Sequence, residues 1–566
     1  MRLPVRKKIV SLPFQNHTLM KRFVLYSLLT VTVLCAMAQP KPVKNVILMI
    51  PDGTSTSLLS AARWYQTYLD STQTTLNIDP YVCGLVRTHS SDAPIGDSAP
   101  TTSCYVSGMP SQTAFVSTYP VATDHDLMPV DASRAYQPLA TVLEAAKILQ
   151  HKATGLVFTC EFPHATPADC SAHTYKRGKY GMIAPQMAHN HLDVVMGGGV
   201  KYLNEKLQND LKEAGYQVYL DDIKGFRSCS KAPVWALFNE TSMPYWLEAD
   251  KQETPSLAEM TRKSLDILSQ NPQGFFLMVE GSKVDWAAHD NDAKNAIIEF
   301  LEFDKACGAA LDFAKKNGET VVVILPDHGT GSVTVGNTKS NHGYDKLPLK
   351  TIMSTIDNYK LSNWTMGEKL KEADTTEWSQ LFETYFGFTP QPAEIAYLST
   401  AKDYDKSSLP KEERQSNLSM CKMLSQILYG RTYFGFTTFG HTMENVFLAV
   451  YHPQNDILKG VPTNIDVFNY LCRQMGLTGE MQQLTENIYA DHHQVFAGYE
   501  TKIDSLDKYH YRLTVKNKRN VLMADSYENY FTINNKRVDL ESVIVYMDKN
   551  NTFYLPKELR NYIELK

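Results

Sequence analysis

Five short apolar runs, each ending in polar or glycine residues, constrain the fold of this chain more than any other feature. Runs of this length that are rich in β-branched residues are typical of strands buried on both faces of a parallel sheet. Helical patterns lie between them, for example at 136–150 and 295–318. The alternation predicts an α/β fold, a three-layer sandwich with a large, mostly parallel central sheet flanked by helices. The runs are NVILMIPDG (45–53), TGLVFTCE (154–161), DVVMGGG (193–199), GFFLMVEG (274–281) and TVVVILPDHG (320–329).

The chain has 566 residues, which is more than a domain with a single hydrophobic core usually contains, so we expect more than one structural unit. Residues 20–38 combine a basic start, an apolar run and Ala-Met-Ala, which is the layout of a secretory signal peptide. A mis-assigned start would explain residues 1–19. We predict a core formed by 39–344 and 431–477, a helical, crown-like insertion at 345–430 and a small β-rich appendage at 478–566.

The same segment and the composition indicate where the protein works and what it binds. The apolar run is too short to predict a membrane span, so we expect an exported protein, periplasmic or extracellular, without a stable membrane anchor. A net charge of −5 and a pI near 6.4 give no indication of nucleic-acid binding. Eight cysteines follow the signal peptide, without a C-x-x-C pair, so disulfides are permitted and a bridge between Cys160 and Cys170 stays open.

Polar side chains follow four of the five apolar runs at the point where each strand should end. Asp52 follows the first run, and Glu161 and His164 follow the second. In open α/β sheets, ligands bind beyond the carboxyl ends of the strands. Each of these residues alone is compatible with a helix cap or a turn, but four strand ends with such residues predict a functional site. The others are Glu280 and Asp285 after the fourth run and Asp327 and His328 after the fifth.

These residue types at these spacings predict metal binding. Asp285 and His289 are four residues apart, which places both side chains on one face of a helix. With His441 as a third ligand, they would hold Zn²⁺ and leave one position open. Asp327 and His328 offer a second oxygen–nitrogen pair. A group with only oxygen donors would suit Mg²⁺ better than zinc, and its candidates are Asp52, Thr166 and Glu280.

Two other patterns have a structural interpretation. The glycines 197–199 are not followed by G-K-[ST], so we interpret them as a turn at the end of a strand and not as a phosphate loop. The sequence Asp491-His492-His493 lies outside the strand-end pattern, and we interpret it as structural.

The motifs taken together resemble alkaline phosphatase. The resemblance rests on the order and spacing of MIPDG, GDSAPTTS, EFPHATP followed by Arg177, MVEGSKVDWAAH, LPDHG and GHT. It covers roughly 45–335 and resumes near 432–455. It implies that Ser98 is the phosphorylated nucleophile and that Arg177 grips the phosphate. It also implies one zinc held by Asp285, His289 and His441, a second zinc held by Asp52, Asp327 and His328, and a third metal, usually magnesium, held by Asp52, Glu280 and Thr166.

Physical chemistry makes the implied roles intelligible. A serine hydroxyl beside Zn²⁺ loses its proton near neutral pH because the cation stabilises the alkoxide, so Ser98 needs no histidine base. Arg177 can hold two phosphate oxygens in a fork, which lysine cannot do. We expect a helix to begin near Ser98, with its first amides facing the phosphate and Pro100 accommodated in the first turn. Asp97 is then expected to orient Arg177 or the local backbone.

Two positions depart from the best-known bacterial pattern. His164 stands where an aspartate is often found, and Trp286, a candidate substrate-binding residue, stands where a lysine is often found. These changes remove a carboxylate and a cation from the neighbourhood of the third metal. We therefore predict a looser third site that is shared with zinc, in which His164 is a candidate ligand through a water molecule.

The residues and the resemblance together predict a secreted hydrolase of phosphate monoesters that works at alkaline pH. The resemblance also makes a homodimer one candidate for its oligomeric state. A phosphodiesterase or sulfatase of the same superfamily is the nearest alternative, but such relatives usually lack the third metal site and the matching arginine. A catalytically silent phosphate- or metal-binding protein on the same fold is the alternative from a different class.

Overall fold

The central layer is a nine-stranded sheet in the computed structural model, which describes residues 41–402 and 419–564. The spatial order of its strands is β2-β9-β8-β1-β7-β3-β4-β6-β5. Every neighbouring pair is parallel except the two pairs made by β9, so the expected mostly parallel sheet is confirmed. The strands are β1 (Asn45–Pro51), β2 (Val82–Val86), β3 (Ala153–Glu161), β4 (Val194–Gly198), β5 (Gln217–Leu220), β6 (Val234–Leu237), β7 (Phe275–Gly281), β8 (Thr320–Ile324) and β9 (Val446–Tyr451).

Helices cover both faces of this sheet, as the side chains of β1 illustrate. Ile47 and Met49 point into one buried cluster, which includes residues of α1, α8 and α10. Val46, Leu48 and Ile50 point into a second cluster, with residues of α2, α3 and α16. The period-2 alternation of a strand explains how one apolar run supplies both cores, and the three-layer sandwich is confirmed.

The α-helices of the described residues alternate with the strands in the first part of the chain and dominate the predicted insertion. They are α1 (Thr56–Leu69), α2 (Ser98–Ser107), α3 (Val142–Gln150), α4 (Ala165–Asp169), α5 (Tyr180–His189), α6 (Glu205–Glu213), α7 (Ile223–Ser228), α8 (Leu257–Leu268), α9 (Lys283–His289), α10 (Ala293–Asn317), α11 (Leu349–Met353), α12 (Asn363–Glu372), α13 (Trp378–Phe386), α14 (Pro392–Lys402), α15 (Met420–Tyr429), α16 (Asn464–Met475), α17 (Met481–Ile488), α18 (His492–Val495) and α19 (Leu559–Glu564).

The C-terminal part is β-rich, as expected, and packs a third apolar cluster. Asn529 Nδ2 donates a hydrogen bond to the carbonyl oxygen of His189 at 3.0 Å, and Lys179 pairs with Asp548 at 2.9 Å, so this part contacts α5 and the segment before it. Its five-stranded antiparallel sheet consists of β10 (Glu500–Ser505), β11 (Tyr511–Lys516), β12 (Val521–Asp525), β13 (Tyr530–Ile533) and β14 (Lys536–Asp539), and a three-stranded sheet joins Ala490–Asp491, Thr552–Leu555 and Val545–Met547.

The structure bears differently on the predictions about domain bounds, the signal peptide, the cysteines and a membrane span. The bounds of the core, the insertion and the appendage stay predictions, and the predicted signal peptide lies outside the described residues. The eight cysteines that follow it are free thiols, and Cys160 and Cys170 are not bridged. Within 41–402 and 419–564, no helix combines the length and the apolar character that crossing a membrane requires.

Candidate metal centre and active site

The carboxyl ends of three adjacent strands bring three buried carboxylates to one place. β1 lies between β7 and β8, and its Ile50 is in register with Glu280 of β7. Asp52 follows β1, and Asp327 follows β8. All three carboxylate side chains are fully buried. Burial of this much negative charge is costly, so the arrangement points to a cationic partner.

The first group of candidate ligands consists of Asp52, Asp327 and His328, whose donor atoms lie within 4.8 Å of one another. His328 Nε2 lies 3.5 Å from Asp52 Oδ1 and 3.4 Å from Asp327 Oδ2. The backbone amides of Gly53 and His328 donate to Asp327 Oδ1 at 3.1 and 3.0 Å and so orient the carboxylate. Asp327 Oδ2 and both oxygens of Asp52 are buried without a hydrogen-bond donor. Unpartnered buried oxygens beside an imidazole nitrogen fit a divalent cation.

The second group adjoins the first and consists of Asp285, His289 and His441. α9 places Asp285 and His289 on one face, with His289 Nε2 3.4 Å from Asp285 Oδ2. His441 Nε2 lies 3.0 Å from His289 Nε2 and 3.9 Å from Asp285 Oδ1. The His441 ring also stacks on the His328 ring at a centroid distance of 3.8 Å, which joins the two groups. The structure thus brings together the six residues that the resemblance assigns to two zinc ions.

Hydrogen bonds fix the direction in which the histidines point. His289 Nδ1 donates to the carbonyl of Phe439 at 2.6 Å, and His441 Nδ1 donates to the carbonyl of Gly96 at 2.8 Å. Because a carbonyl only accepts, the proton sits on Nδ1, and the lone pair of Nε2 faces the other ligands. Metal-binding histidines are held in this way by outer groups.

Thr330 connects the two groups and was not singled out by sequence reasoning. Its hydroxyl donates to Asp285 Oδ1 at 2.6 Å and lies 3.3 Å from His328 Nδ1, from which it can accept. The residue is fully buried, on a two-residue strand that pairs with His441–Thr442. Its proximity to LPDHG was the available signal, but nothing in the sequence gave the direction of its side chain.

The electrostatics of the carboxylates reflect their crowding. Burial, together with the charges of Asp327 and Asp285, raises the pKa of Asp52 well above its ordinary value. Burial raises the pKa of Glu280 to about 7. Burial also favours the neutral form of Asp285, but the neighbouring histidines outweigh it and lower its pKa below the ordinary value. These carboxylates suit a site whose charge a metal balances.

The predicted third site shares Asp52 with the first group and adds Thr166 and Glu280. Thr166 Oγ1 and Glu280 Oε1 are buried without hydrogen-bond partners, which fits oxygen atoms that bind a cation. His164 also lies here, and its Nε2 accepts from Arg177 Nη2 at 3.0 Å. The thiol of Cys160, which sequence reasoning did not assign to the site, donates to Glu280 Oε2 with an S–O distance of 3.3 Å.

Ser98 is the first residue of α2, so it stands at the positive end of that helix. Its Oγ lies 3.3 Å from His328 Nε2, at the edge of the first metal group. Pro100 falls in the first turn, where no intrahelical hydrogen bond is lost. A serine with this surrounding is placed for attack on a phosphate held at the helix N-terminus.

Arg177 reaches the same region from the loop between α4 and α5. Its Nη1 donates to Oδ1 of Asp97, which is the residue before Ser98. This charge pair is partly buried. Asp97 thus contacts the arginine, as expected. Trp286 lies beside His164, with a T-shaped ring arrangement at 5.8 Å, so it borders the third site.

The residues given a structural interpretation have structural contacts. Asp491 caps the short helix α18 through the amide of His493, and His492 Nδ1 accepts from the amide of Phe553 at 3.1 Å. A Cβ atom on Gly198 would come within 2.7 Å of the carbonyl oxygen of Cys160, so this glycine permits the close approach of two strands.

Comparisons with known proteins agree with the motifs and the fold. The chain matches the family model of alkaline phosphatase over residues 43–477. Alkaline phosphatase 3 of Bacillus subtilis (strain 168) is 33% identical over 443 residues, which cover 75% of this chain and 87% of that protein. The crystal structure of the cold-active alkaline phosphatase of the psychrophile Shewanella sp. has a TM-score of 0.64 at 28% identity, and the match covers 77% of this chain and 100% of that one. A mutant alkaline phosphatase of the Antarctic bacterium TAB5 with Mg bound in its M3 site has a TM-score of 0.53 at 24% identity, and the match covers 77% of this chain and 99% of that one. At that identity the last comparison bears on the fold alone.

Proposed function

The chain belongs to the alkaline phosphatase family, whose members are metal-dependent phosphomonoesterases, and we propose that it hydrolyses phosphate monoesters through a phosphoserine intermediate on Ser98. The observation that carries the proposal is the position of Ser98 Oγ, 3.3 Å from His328 Nε2 at the N-terminus of α2. The unpartnered oxygens of Asp52 and Asp327 beside it support a metal there.

The cofactors we propose are two zinc ions and a third divalent metal, for which the resemblance implies magnesium and the departures at His164 and Trp286 predict sharing with zinc. When bound, such ions lower the pKa of a coordinated oxygen and stabilise the negative charge that develops on the two ester oxygens. The residues that would hold them are Asp285, His289 and His441 for one zinc, Asp52, Asp327 and His328 for the other, and Asp52, Thr166 and Glu280 for the third metal.

The protein's own groups position the substrate and carry the phosphoryl group. Arg177 and the first amides of α2 bind the non-bridging phosphate oxygens, and Asp97 holds Arg177 in place. Ser98 Oγ attacks phosphorus, loses its proton to solvent and displaces the alcohol, which leaves with a proton. Water then attacks the phosphoserine and releases inorganic phosphate and free Ser98. Because recognition is concentrated on the phosphoryl group, many monoesters should be substrates.

The experiment that tests this function uses the purified metal-loaded protein and three aryl esters, a phosphate monoester, a phosphate diester and a sulfate. We expect the monoester to turn over fastest at alkaline pH and Ser98→Ala to lose about 10³-fold or more of that rate. Labelled inorganic phosphate should become trapped on the wild-type protein at acidic pH and not on Ser98→Ala. Ser107→Ala, at the far end of the same helix, is the matched control and should behave as wild type.

The outcomes separate the alternatives. Equal turnover by Ser98→Ala would refute the serine mechanism, and preference for the diester or the sulfate would favour another member of the superfamily. Loss of all turnover with metal and phosphate still bound would favour a silent binding protein. Export on the N-terminal segment and assembly as a homodimer complete the proposal.

A further inference from the structure

The third metal site contains a thiol that the family-based assignment of ligands does not include. Cys160 is the penultimate residue of β3, and Glu280 is the penultimate residue of β7. The two strands are parallel neighbours, with Val157 in register with Val279. Phe158 and Cys160 point to the same side of the sheet as Met278 and Glu280, because side chains alternate along a strand.

This juxtaposition places one sulfur and one carboxylate within reach of a single ion, with the His164 imidazole beside them. The donor atoms of Cys160, His164 and Glu280 lie within 4.8 Å of one another. The Cys160 thiol is fully buried and free. In the described part of the chain, it is the only cysteine that groups with candidate metal ligands.

Independent observations indicate that an ion is needed at this position. Glu280 Oε1 and Thr166 Oγ1 are both buried without a hydrogen-bond partner. Glu280 and Thr166 are fully buried residues, so solvent does not supply the missing partners. Two buried oxygens without a donor are costly unless a cation satisfies them.

We propose that Cys160 is a ligand of the third metal and that this site therefore selects Zn²⁺ over Mg²⁺. Thiolate sulfur suits zinc, whereas Mg²⁺ demands oxygen ligands and is seldom bound by sulfur. On binding, the S–H bond breaks, the sulfur–metal bond forms, and the proton passes to solvent. The proposal rests on the proposed function, because the third site is defined by it.

The alternative role for this thiol is that of a hydrogen-bond donor that only orients Glu280. In that case Cys160→Ser would preserve the role, because a hydroxyl donates to a carboxylate at least as well as a thiol does. Cys170→Ser is the matched control, because Cys170 is also a fully buried thiol, and its sulfur lies 3.9 Å from the carbonyl oxygen of Thr166 without joining the donor group.

The test measures metal identity directly. The full-length protein is equilibrated with equal Zn²⁺ and Mg²⁺ and its bound metals are counted, and a second sample is loaded with Co²⁺ for near-ultraviolet spectroscopy. We expect zinc in the third site of the wild type, and a thiolate-to-Co²⁺ charge-transfer band. Cys160→Ser should lose the band and at least about 10-fold in third-site zinc affinity, while Cys170→Ser retains both.

Three results would overturn the proposal: magnesium in the third site of the wild type, no charge-transfer band, or a band that survives in Cys160→Ser. X-ray absorption of the zinc-loaded wild type needs no variant and should detect a sulfur neighbour at about 2.3 Å. Ser98→Ala separates the two proposals. Its X-ray absorption spectrum reports whether sulfur binds the metal, independently of catalysis. Its turnover reports on the proposed function, which fails if the rate is the same as in the wild type.

Discussion

The hydroxyl of Thr330 should determine how tightly the proposed two-zinc centre holds its metals. It is fully buried, donates to Asp285 Oδ1 at 2.6 Å and lies 3.3 Å from His328 Nδ1. It therefore positions one ligand from each of the two groups. Thr330→Val keeps the shape of the side chain and removes only this link.

The magnitude follows from the two hydrogen bonds. A hydrogen bond to a charged group contributes about 1.5–3 kcal/mol, and an unsatisfied buried donor costs about 1–3 kcal/mol. Part of this loss is recovered when the ligands reorient toward the metal. Outer-shell substitutions in metal sites cost about 10- to 100-fold in affinity, which is about 1.4–2.8 kcal/mol and agrees with the smaller estimates for the hydrogen bonds.

The assay is equilibrium dialysis against a graded zinc chelator, with zinc per chain measured by elemental analysis and thermal unfolding measured alongside. We expect Thr330→Val to release zinc at about 10- to 100-fold higher free zinc than the wild type. Thr330→Ser keeps the hydroxyl and should stay close to the wild type. The reasoning is refuted if Thr330→Val retains wild-type affinity, or if Thr330→Ser is impaired as strongly as Thr330→Val.

Three further predictions test other parts of the structure. Arg177→Lys loses the bidentate grip, so inorganic phosphate should inhibit about 10-fold more weakly and KM should rise more than kcat falls; an unchanged inhibition constant would count against the assignment. Gly53→Ala requires an alanine at a φ of 62° with its Cβ 2.2 Å from Asp285 Oδ1. We therefore expect lower zinc content and a free energy of unfolding that is lower by at least about 1 kcal/mol. Normal zinc retention would contradict the packing argument. Burial favours the neutral form of Glu144, but the charge of His173 and the hydrogen bonds outweigh burial and lower the pKa of Glu144 below its ordinary value of 4.5. The stability that this carboxylate contributes is therefore present above pH 4.5 and lost as the pH falls. Denaturant unfolding should therefore show a shallower acid loss for Glu144→Gln than for the wild type, and parallel curves would refute the linkage.

Much of the fold could be predicted because its signals are local. A run such as TVVVILPDHG predicts a buried strand and the residues at its carboxyl end without knowledge of any other segment. The i, i+4 spacing of Asp285 and His289 fixes their common face by helix geometry alone. The strands β2, β5 and β6 are short and were not recognised, and β9 was not recognised either, although its sequence VFLAVY is a continuous apolar run. β9 is also the strand whose antiparallel pairing no local pattern indicates.

The sequence by itself determined which residue types stand at the strand ends and in the other motifs, and with them the chemistry: carboxylates, imidazoles, one serine and one arginine. Only the tertiary structure decided which of these share a site. The stacking of His441 on His328, the link through Thr330 and the thiol of Cys160 beside Glu280 all join segments far apart in the chain. The physical reason is that periodicity fixes which face a side chain occupies, whereas sheet order and strand register, set by the packing of the whole core, fix its neighbours.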